Sequence, residues 1–370
     1  MLPIITDLDW GREHLSIAFA TQNLMIGIAA PFAGALAAYW GATKTVALGG
    51  VIFGLGILTM SQASEPATMF FGAGLMAGIG LSACGMPLIL AFVSQVAPKN
   101  QRSSWVGITT ACATGGQLMI VPLSQSLIIG YGWVIALLCL LILVGIIAPL
   151  ALSISVDIPQ SNDKTREISI VHAIREAMGH KSFVLLTAGF FVCGFHVGFI
   201  AIHLPAYLVD RGASSTLGAT ALMLIALFNM VGAWYSGWLA DRISKKYILC
   251  VIYLIRSGTL LAFILVPLGQ VSVLIFAALI GLLWLSTVPP TSGLISQIFG
   301  THYMGVLYGT IYLSHQLGSF IGVWSGGLIF DFIGDYKAIW IIAVVLGVSS
   351  ALIHFPIDEK PVERLTKGLV

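Results

Sequence analysis

Apolar stretches long enough to cross a bilayer recur eleven times along this chain, parted by short polar segments. A helix spanning the ~30 Å hydrocarbon layer needs about 20 mostly apolar residues, because lipid offers no partner for an unpaired backbone N–H or C=O. The pattern predicts spans over His14–Tyr39, Thr45–Ala63, Ala67–Val96, Ser104–Ile129, Trp133–Val156 and Phe183–Val209. Five more follow at Leu217–Ala240, Ile248–Leu268, Val271–Phe299, Tyr303–Phe330 and Ala338–Phe355. Several exceed the length the layer requires, so they tilt or run into the headgroup region. Pro289-Pro290 falls near the middle of one span and predicts an interruption, since each proline removes a donor and clashes with the preceding turn; a gating joint and a static kink both fit.

Composition agrees with that pattern. Hydrophobic residues make up 58% and charged ones 9%, against roughly 25% charged in a soluble domain, which excludes a soluble fold. Thirteen of the seventeen Lys and Arg residues, among them Lys44, Arg102, Lys181 and Lys360, fall on one side of the predicted spans. Short cytoplasmic loops retain positive charge, so this side and the C-terminus are expected in the cytoplasm. Eleven crossings then place the N-terminus outside. Met1–Glu13 lacks the basic and apolar regions of an export signal, and the expectation is a twelve-helix plan whose first helix is absent from this chain.

A repeat supports that plan. Shifting the chain by 202 residues aligns Pro87 with Pro289, Ser94-Gln95 with Ser296-Gln297, Gly107 with Gly309 and Gly116 with Gly318. The predicted organisation is an N-terminal helical bundle of five spans (1–156), a cytoplasmic linker (157–181), a C-terminal bundle of six spans (182–357) and a cytoplasmic tail (358–370). Paired halves of this kind are a common transporter architecture. Within the linker, Ile168–Met178 reads as a short amphipathic helix on the membrane surface.

Between the seventh and eighth predicted spans lies Gly237-Trp-Leu-Ala-Asp241-Arg242-Ile-Ser-Lys245-Lys246. It resembles G-x-x-x-D-R-x-G-R/K-R/K, the signature of the major facilitator superfamily, with Ser244 in place of the second glycine. The resemblance implies an all-α membrane protein of two six-helix bundles, the major facilitator fold, here with 11 transmembrane helices. It also implies that Gly237, Asp241, Arg242, Lys245 and Lys246 form a conformational motif tying neighbouring helices in one state of the access cycle. The first-half copy, from Gly34 to Lys44, keeps Gly34, Gly41 and Lys44 but has Ala38 where the carboxylate belongs.

Within the superfamily the chain resembles the branch of monocarboxylate porters and the oxalate/formate antiporter. Arg102, Gly107 and Gly116 match that branch's R-x4-G-x8-G pattern, with Cys112 replacing an intervening glycine. The runs Cys193-Gly-Phe-His196, His203-Leu-Pro-Ala-Tyr207 and Ser314-His315-Gln316-Leu-Gly318 look like those of bacterial members without a settled substrate. The branch's cavity arginine in the eighth helix has no counterpart in Leu217–Ala240. What the resemblance implies is a secondary active carrier of a small organic anion such as a monocarboxylate, proton-coupled or exchanging, in a bacterial inner membrane.

Candidate substrate groups must be polar and inside the membrane, where a charge costs at least roughly 2.5 kcal/mol and is usually functional or paired. All fifteen acidic residues lie in loops or at span ends, so proton coupling falls to histidine. His196 and His203, seven residues apart, share a helix face; Tyr308, Tyr312 and His315 repeat at helical steps on another. Arg256 is the single intramembrane charge, deep enough that it cannot easily snorkel, with a planar fork suited to a carboxylate. These residues with Gln316, Asn229 and Gln117 are the candidates for substrate binding or proton coupling. For each histidine an ordinary interhelical hydrogen bond fits as well, and Arg256 could instead hold helix-end carbonyls. The glycine ridges Gly318/Gly322/Gly326, Gly50/Gly54 and Gly74/Gly78 read as packing faces; Trp10, Trp40 and Trp133 read as interfacial anchors.

The five cysteines form no C-x-x-C pair, so neither a disulfide framework nor a metal site is predicted. No cofactor and no nucleic-acid partner is expected, and the protein is read as a monomer whose surroundings are the lipid bilayer. Efflux of a hydrophobic or drug-like compound is the alternative within transport. An intramembrane enzyme or sensor is the alternative outside it, and neither a nucleophile–base set nor H-E-x-x-H appears.

Overall fold

A computed structural model of the chain describes Ile4, Asp7–Trp10, Arg12–Ile154 and Ser169–Thr366. Residues 157–168 of the predicted linker lie outside the described residues. Among the described residues the regular structure is helical throughout, and ten helices are long and apolar enough to span a bilayer. One of the ten, Arg102–Ser153, runs 52 residues, about 78 Å of helix and more than twice the hydrocarbon thickness. Gly132, at φ 83 and ψ 166, breaks it. Its two limbs are the two spans predicted there, so the expected eleven crossings are recovered.

The chain opens with α1 (Arg12–Trp40) and α2 (Ala42–Ser61). The third span is assembled from α3 (Pro66–Met69), a π-helical segment Phe70–Met76, α4 (Ala77–Cys84) and α5 (Met86–Val96). Next come α6 (Arg102–Gly145) and α7 (Ile147–Ser153). The linker contains α8 (Ile170–Gly179), and α9 (Lys181–Asp210), α10 (Ser215–Ala240) and α11 (Lys245–Leu265) follow. The predicted interruption separates α12 (Gln270–Leu283) from α13 (Val288–Phe299). The chain closes with α14 (Met304–Ile333), α15 (Lys337–His354) and α16 (Glu363–Thr366). The predicted amphipathic helix is α8: Ala173 and Ala177 are buried while Val171 and Met178 are exposed.

Contacts group these helices into two compact units. One comprises Met1–Phe92, Met119–Ile170 and His302–Leu313; the other comprises Val93–Leu118, Val171–Thr301 and Ser314–Val370. Inside a bilayer apolar burial does not drive helices together, so small residues that admit close backbone contact carry the packing.

In the first unit α4 meets α1 at Gly78, where an added Cβ would lie 2.7 Å from the Met25 Cβ and 2.9 Å from the Gln22 carbonyl oxygen. Gly50 likewise seats the Ile147 side chain of α7, at 2.8 Å. Start of α14 and end of α1 interlock: a Cβ on Gly309 would lie 2.7 Å from the Ala30 backbone, and one on Gly34 would overlap Gly305. Trp133 departs from its expected interfacial role. It is 6% exposed and its indole N–H donates to Asp7 at 2.8 Å, because the chain ahead of α1 folds over it.

In the second unit the ridge Gly318, Gly322 and Gly326 lies on Phe191, Phe195 and the His203 ring of α9, so the packing reading of that stripe holds. Around it Phe199, Phe263, Phe276 and Trp340 form an aromatic core, with Phe263 and Phe276 stacked at 3.9 Å.

Candidate functional site

The break between α12 and α13 organises the candidate site. Proline at 289 and 290 supplies no N–H to the carbonyls of Leu285 and Ser286, and the Val288 N–H turns to the Leu285 carbonyl at 3.0 Å, away from the Trp284 carbonyl it would serve in a continuous helix. Around Leu283–Thr287 other helices provide replacements. Arg256 of α11 donates to the carbonyl oxygens of Leu283 and Trp284, the latter at 2.9 Å. Asn229 of α10 accepts from the Leu285 N–H through Oδ1 at 2.9 Å, and Ser236 donates to the Ser286 carbonyl. The Cys193 thiol of α9 pairs with the Thr287 hydroxyl at 3.1 Å and receives Arg256 Nη1 at 3.7 Å. Helix α10 reaches the break because Gly232 has no side chain; a Cβ there would strike the Leu282 carbonyl.

Arg256 is 2% exposed. Among the described residues no carboxylate pairs with it, and the Arg211–Asp335 ion pair, at 3.0 Å, does not involve it. Its charge is therefore solvated by carbonyl dipoles rather than neutralised. The planar fork that suggested a carboxylate ligand is engaged by the break in this state.

The histidines differ in their surroundings. The imidazole of His196 donates from Nε2 to the Ala343 carbonyl at 2.8 Å, and its buried Nδ1 has no hydrogen-bond partner among the described residues. His203 donates from Nε2 to the Val323 carbonyl at 2.9 Å and accepts at Nδ1 from the Tyr336 hydroxyl at 3.3 Å, so both nitrogens serve helix packing. His315, 7% exposed, pairs with Gln316 Oε1 at 3.2 Å and lies 4.9 Å from the Phe190 ring. Tyr308 and Tyr312 belong to the first unit, with ring centroids 6.4 Å apart. Gln117 is exposed on α6. Asn229 also donates from Nδ2 to the Thr114 hydroxyl of α6 at 2.8 Å.

The residues of the predicted conformational motif gather in a second cluster. Asp241 accepts from the backbone N–H of Ser103 and of Ser104 at 2.9 and 2.8 Å, closing the N-terminus of α6 where a helix leaves donors unpaired and favours negative charge. Beside it α6 and α10 cross closely: a Cβ on Gly107 would lie 2.5 Å from the Ala233 carbonyl oxygen. Lys245 Nζ reaches Gln297 at 2.8 Å, and Lys246 Nζ reaches the Ile357 carbonyl at 2.9 Å. Arg242 stacks on the Trp238 ring at 3.9 Å. Ser244, which stands where the signature has glycine, donates to Glu359, as does the Lys246 N–H, both at 2.8 Å.

The sequence repeat is visible in this geometry. Ala30 and Gly34 meet Gly309 and Gly305 as Ala233 and Gly237 meet Gly107 and Ser103. One helix crossing is thus built twice, at offsets of 202 and 203 residues. The sequence profile of the Major Facilitator Superfamily matches residues 1–323. The chain belongs to the major facilitator superfamily. Members similar to it include the uncharacterized MFS-type transporter YcxA of Bacillus subtilis, 25% identical over 371 residues, covering 97% of this chain and 90% of that one. Monocarboxylate transporter 13 of Rattus norvegicus is 25% identical over 353 residues, covering 92% and 78%. The fold is shared with the Escherichia coli fucose:proton symporter FucP, at TM-score 0.76 and 16% identity over 95% of this chain and 92% of that one. It is shared too with the proton:xylose symporter XylE, at TM-score 0.72 and 15% identity over 95% and 88%. As a superfamily member the chain is a membrane transporter and not an enzyme.

Sequence reading missed Ser103, Thr114, Ser236, Thr287 and Glu359. Ser and Thr are abundant in these spans and carry no pattern of their own. The one available signal was the proline pair, which announces that some polar group nearby must serve the freed carbonyls.

Proposed function

We propose that this transporter carries a small organic anion, such as a monocarboxylate, by alternating access of two helical bundles, 1–156 and 182–357, joined by the linker 157–181. The observation that carries this reading is Arg256: a buried cation, held by carbonyls and without a carboxylate partner among the described residues, beside a helix break. At an effective dielectric constant near 20, an anion about 8 Å away gains about 2 kcal/mol from such a charge without touching it. The fifteen acidic residues stay out of the span interiors, which disfavours cationic cargo. Monocarboxylate transporters among the relatives support the same class.

His315, Gln316, His196 and Gln117 are the proposed substrate and proton groups, with Tyr308 and Tyr312 on the same helix as His315; His203 serves packing. The coupling ion is the proton, carried on histidine, as no acidic residue is placed to do so. The basic loops and the C-terminal tail (358–370) lie in the cytoplasm of a bacterial cell, the protein sits in its inner membrane, and it works as a monomer.

Purified protein in liposomes, given an inward pH gradient, is the test. Radiolabelled acetate, lactate and pyruvate should accumulate, and xylose and tetraphenylphosphonium should not. Accumulation of the sugar or the cation with none of the carboxylates would overturn the substrate class.

A further inference from the structure

The seam between α6 and α10 runs from Asp241–Ser103 at one end, past Gly107 against Ala233, to Gly115 against Met230 and Thr114 against Asn229. Ten residues of α6 separate Ser104 from Thr114, about 15 Å of helix, so the Asn229–Thr114 bond lies near mid-membrane. Asn229 is 1% exposed and Thr114 4%. A side-chain amide buried at this depth must use both of its ends, and Asn229 spends them on different partners. Its Nδ2 holds Thr114, which sits in the first-half sequence; its Oδ1 holds the Leu285 N–H inside the α12–α13 break. Thr114 spends its own proton on the Thr110 carbonyl at 3.1 Å, so its oxygen is oriented to accept from Asn229.

Asp241 and the glycines join α6 to α10 alone. Asn229 adds a third helix. When α6 separates from α10, its Nδ2 loses its acceptor while its Oδ1 remains on Leu285, and the amide is left half-satisfied in a low-dielectric layer. It must reorient or find another partner, and either movement releases the Leu285 N–H. The break has little else to hold that residue's donor, since Arg256 and Ser236 serve carbonyls.

We infer that Asn229 is the positioning residue that couples closure of the α6–α10 seam to the shape of the α12–α13 break. Closed, the seam orients the amide and fixes Leu285; open, it frees the amide and lets the break relax. The inference rests on the alternating-access reading above. It does not depend on which solute is carried.

Hydrogen–deuterium exchange on the full-length protein in detergent or nanodiscs, without substrate, tests it. Thr114→Val removes the acceptor at nearly constant volume and touches nothing in the break. Exchange of the Leu285 amide is expected to rise at least fivefold in this variant and to return to the wild-type rate in Thr114→Ser. Asn229→Ala should raise it further. An unchanged Leu285 rate in Thr114→Val overturns the coupling, and an unchanged rate in folded Asn229→Ala overturns the cap itself. The transport assay is read separately: liposomes inactive toward carboxylates would reject the substrate class while the exchange result still decides the role of Asn229.

Discussion

Gly107 and Gly237 face one another across the α6–α10 seam with so little room that a Cβ on Gly237 would lie 3.1 Å from the Gly107 Cα. Gly107→Ala, whose methyl would sit 2.5 Å from the Ala233 carbonyl oxygen, is expected to destabilise the closed seam by about 1–3 kcal/mol, as overpacking does. Spin labels on α6 and α10 should report a longer mean distance. Gly116→Ala, on the same helix but facing open space, is the control and should leave the distance unchanged.

Asp241 supplies both oxygens to the first turn of α6. Asp241→Asn exchanges one acceptor for a donor facing an N–H and removes the charge that the helix terminus favours. The closed seam should lose about 1–2 kcal/mol. Faster amide exchange at Ser103 and Ser104 would report it, and rates equal to wild type would remove Asp241 from the seam.

Arg256→Gln leaves the carbonyls of Leu283 and Trp284 short of donors in a dry layer, at a cost of about 1–3 kcal/mol each. A fall in thermal stability is expected, together with loss of stabilisation by added carboxylates. Arg256→Lys keeps the charge without the fork and should retain the carboxylate response while recovering only part of the stability. A folded Arg256→Gln that transports at the wild-type rate would dismiss the electrostatic argument for an anion.

Glu359 fastens the tail to the motif through Ser244 and Lys246, and Gln297 holds its carbonyl at 3.0 Å. Glu359→Ala removes two hydrogen bonds to a charged acceptor, about 1.5–3 kcal/mol each. Trypsin should then cut after Arg364 at least tenfold faster, seen by mass spectrometry of the released tail peptide.

Most of the fold was legible because bilayer length and backbone hydrogen bonding leave few solutions for a chain this apolar. The spans, the interruption at Pro289-Pro290 and the glycine ridges each follow from a local rule, and each appears in the structure. The motif was legible for the same reason, since Gly237 and Asp241 carry chemistry that a pattern can hold. Partners were not. Nothing in the sequence around Arg256 shows that its fork will meet Leu283 and Trp284, because which helix lies beside which is a tertiary matter. Trp133 was misread through the same gap: an indole at a span end is an anchor only if the chain before α1 leaves it uncovered.

The copies of the doubled crossing differ at their carboxylate: Asp241 fastens the α6–α10 copy, while the α1–α14 copy has Ala38 at the corresponding place. Equal shapes with unequal fastening cannot part at equal rates. The copy that lacks the carboxylate is fastened less firmly at that place and should give way first, so a time-resolved opening experiment should resolve two successive phases, their order set by which copy carries Asp241.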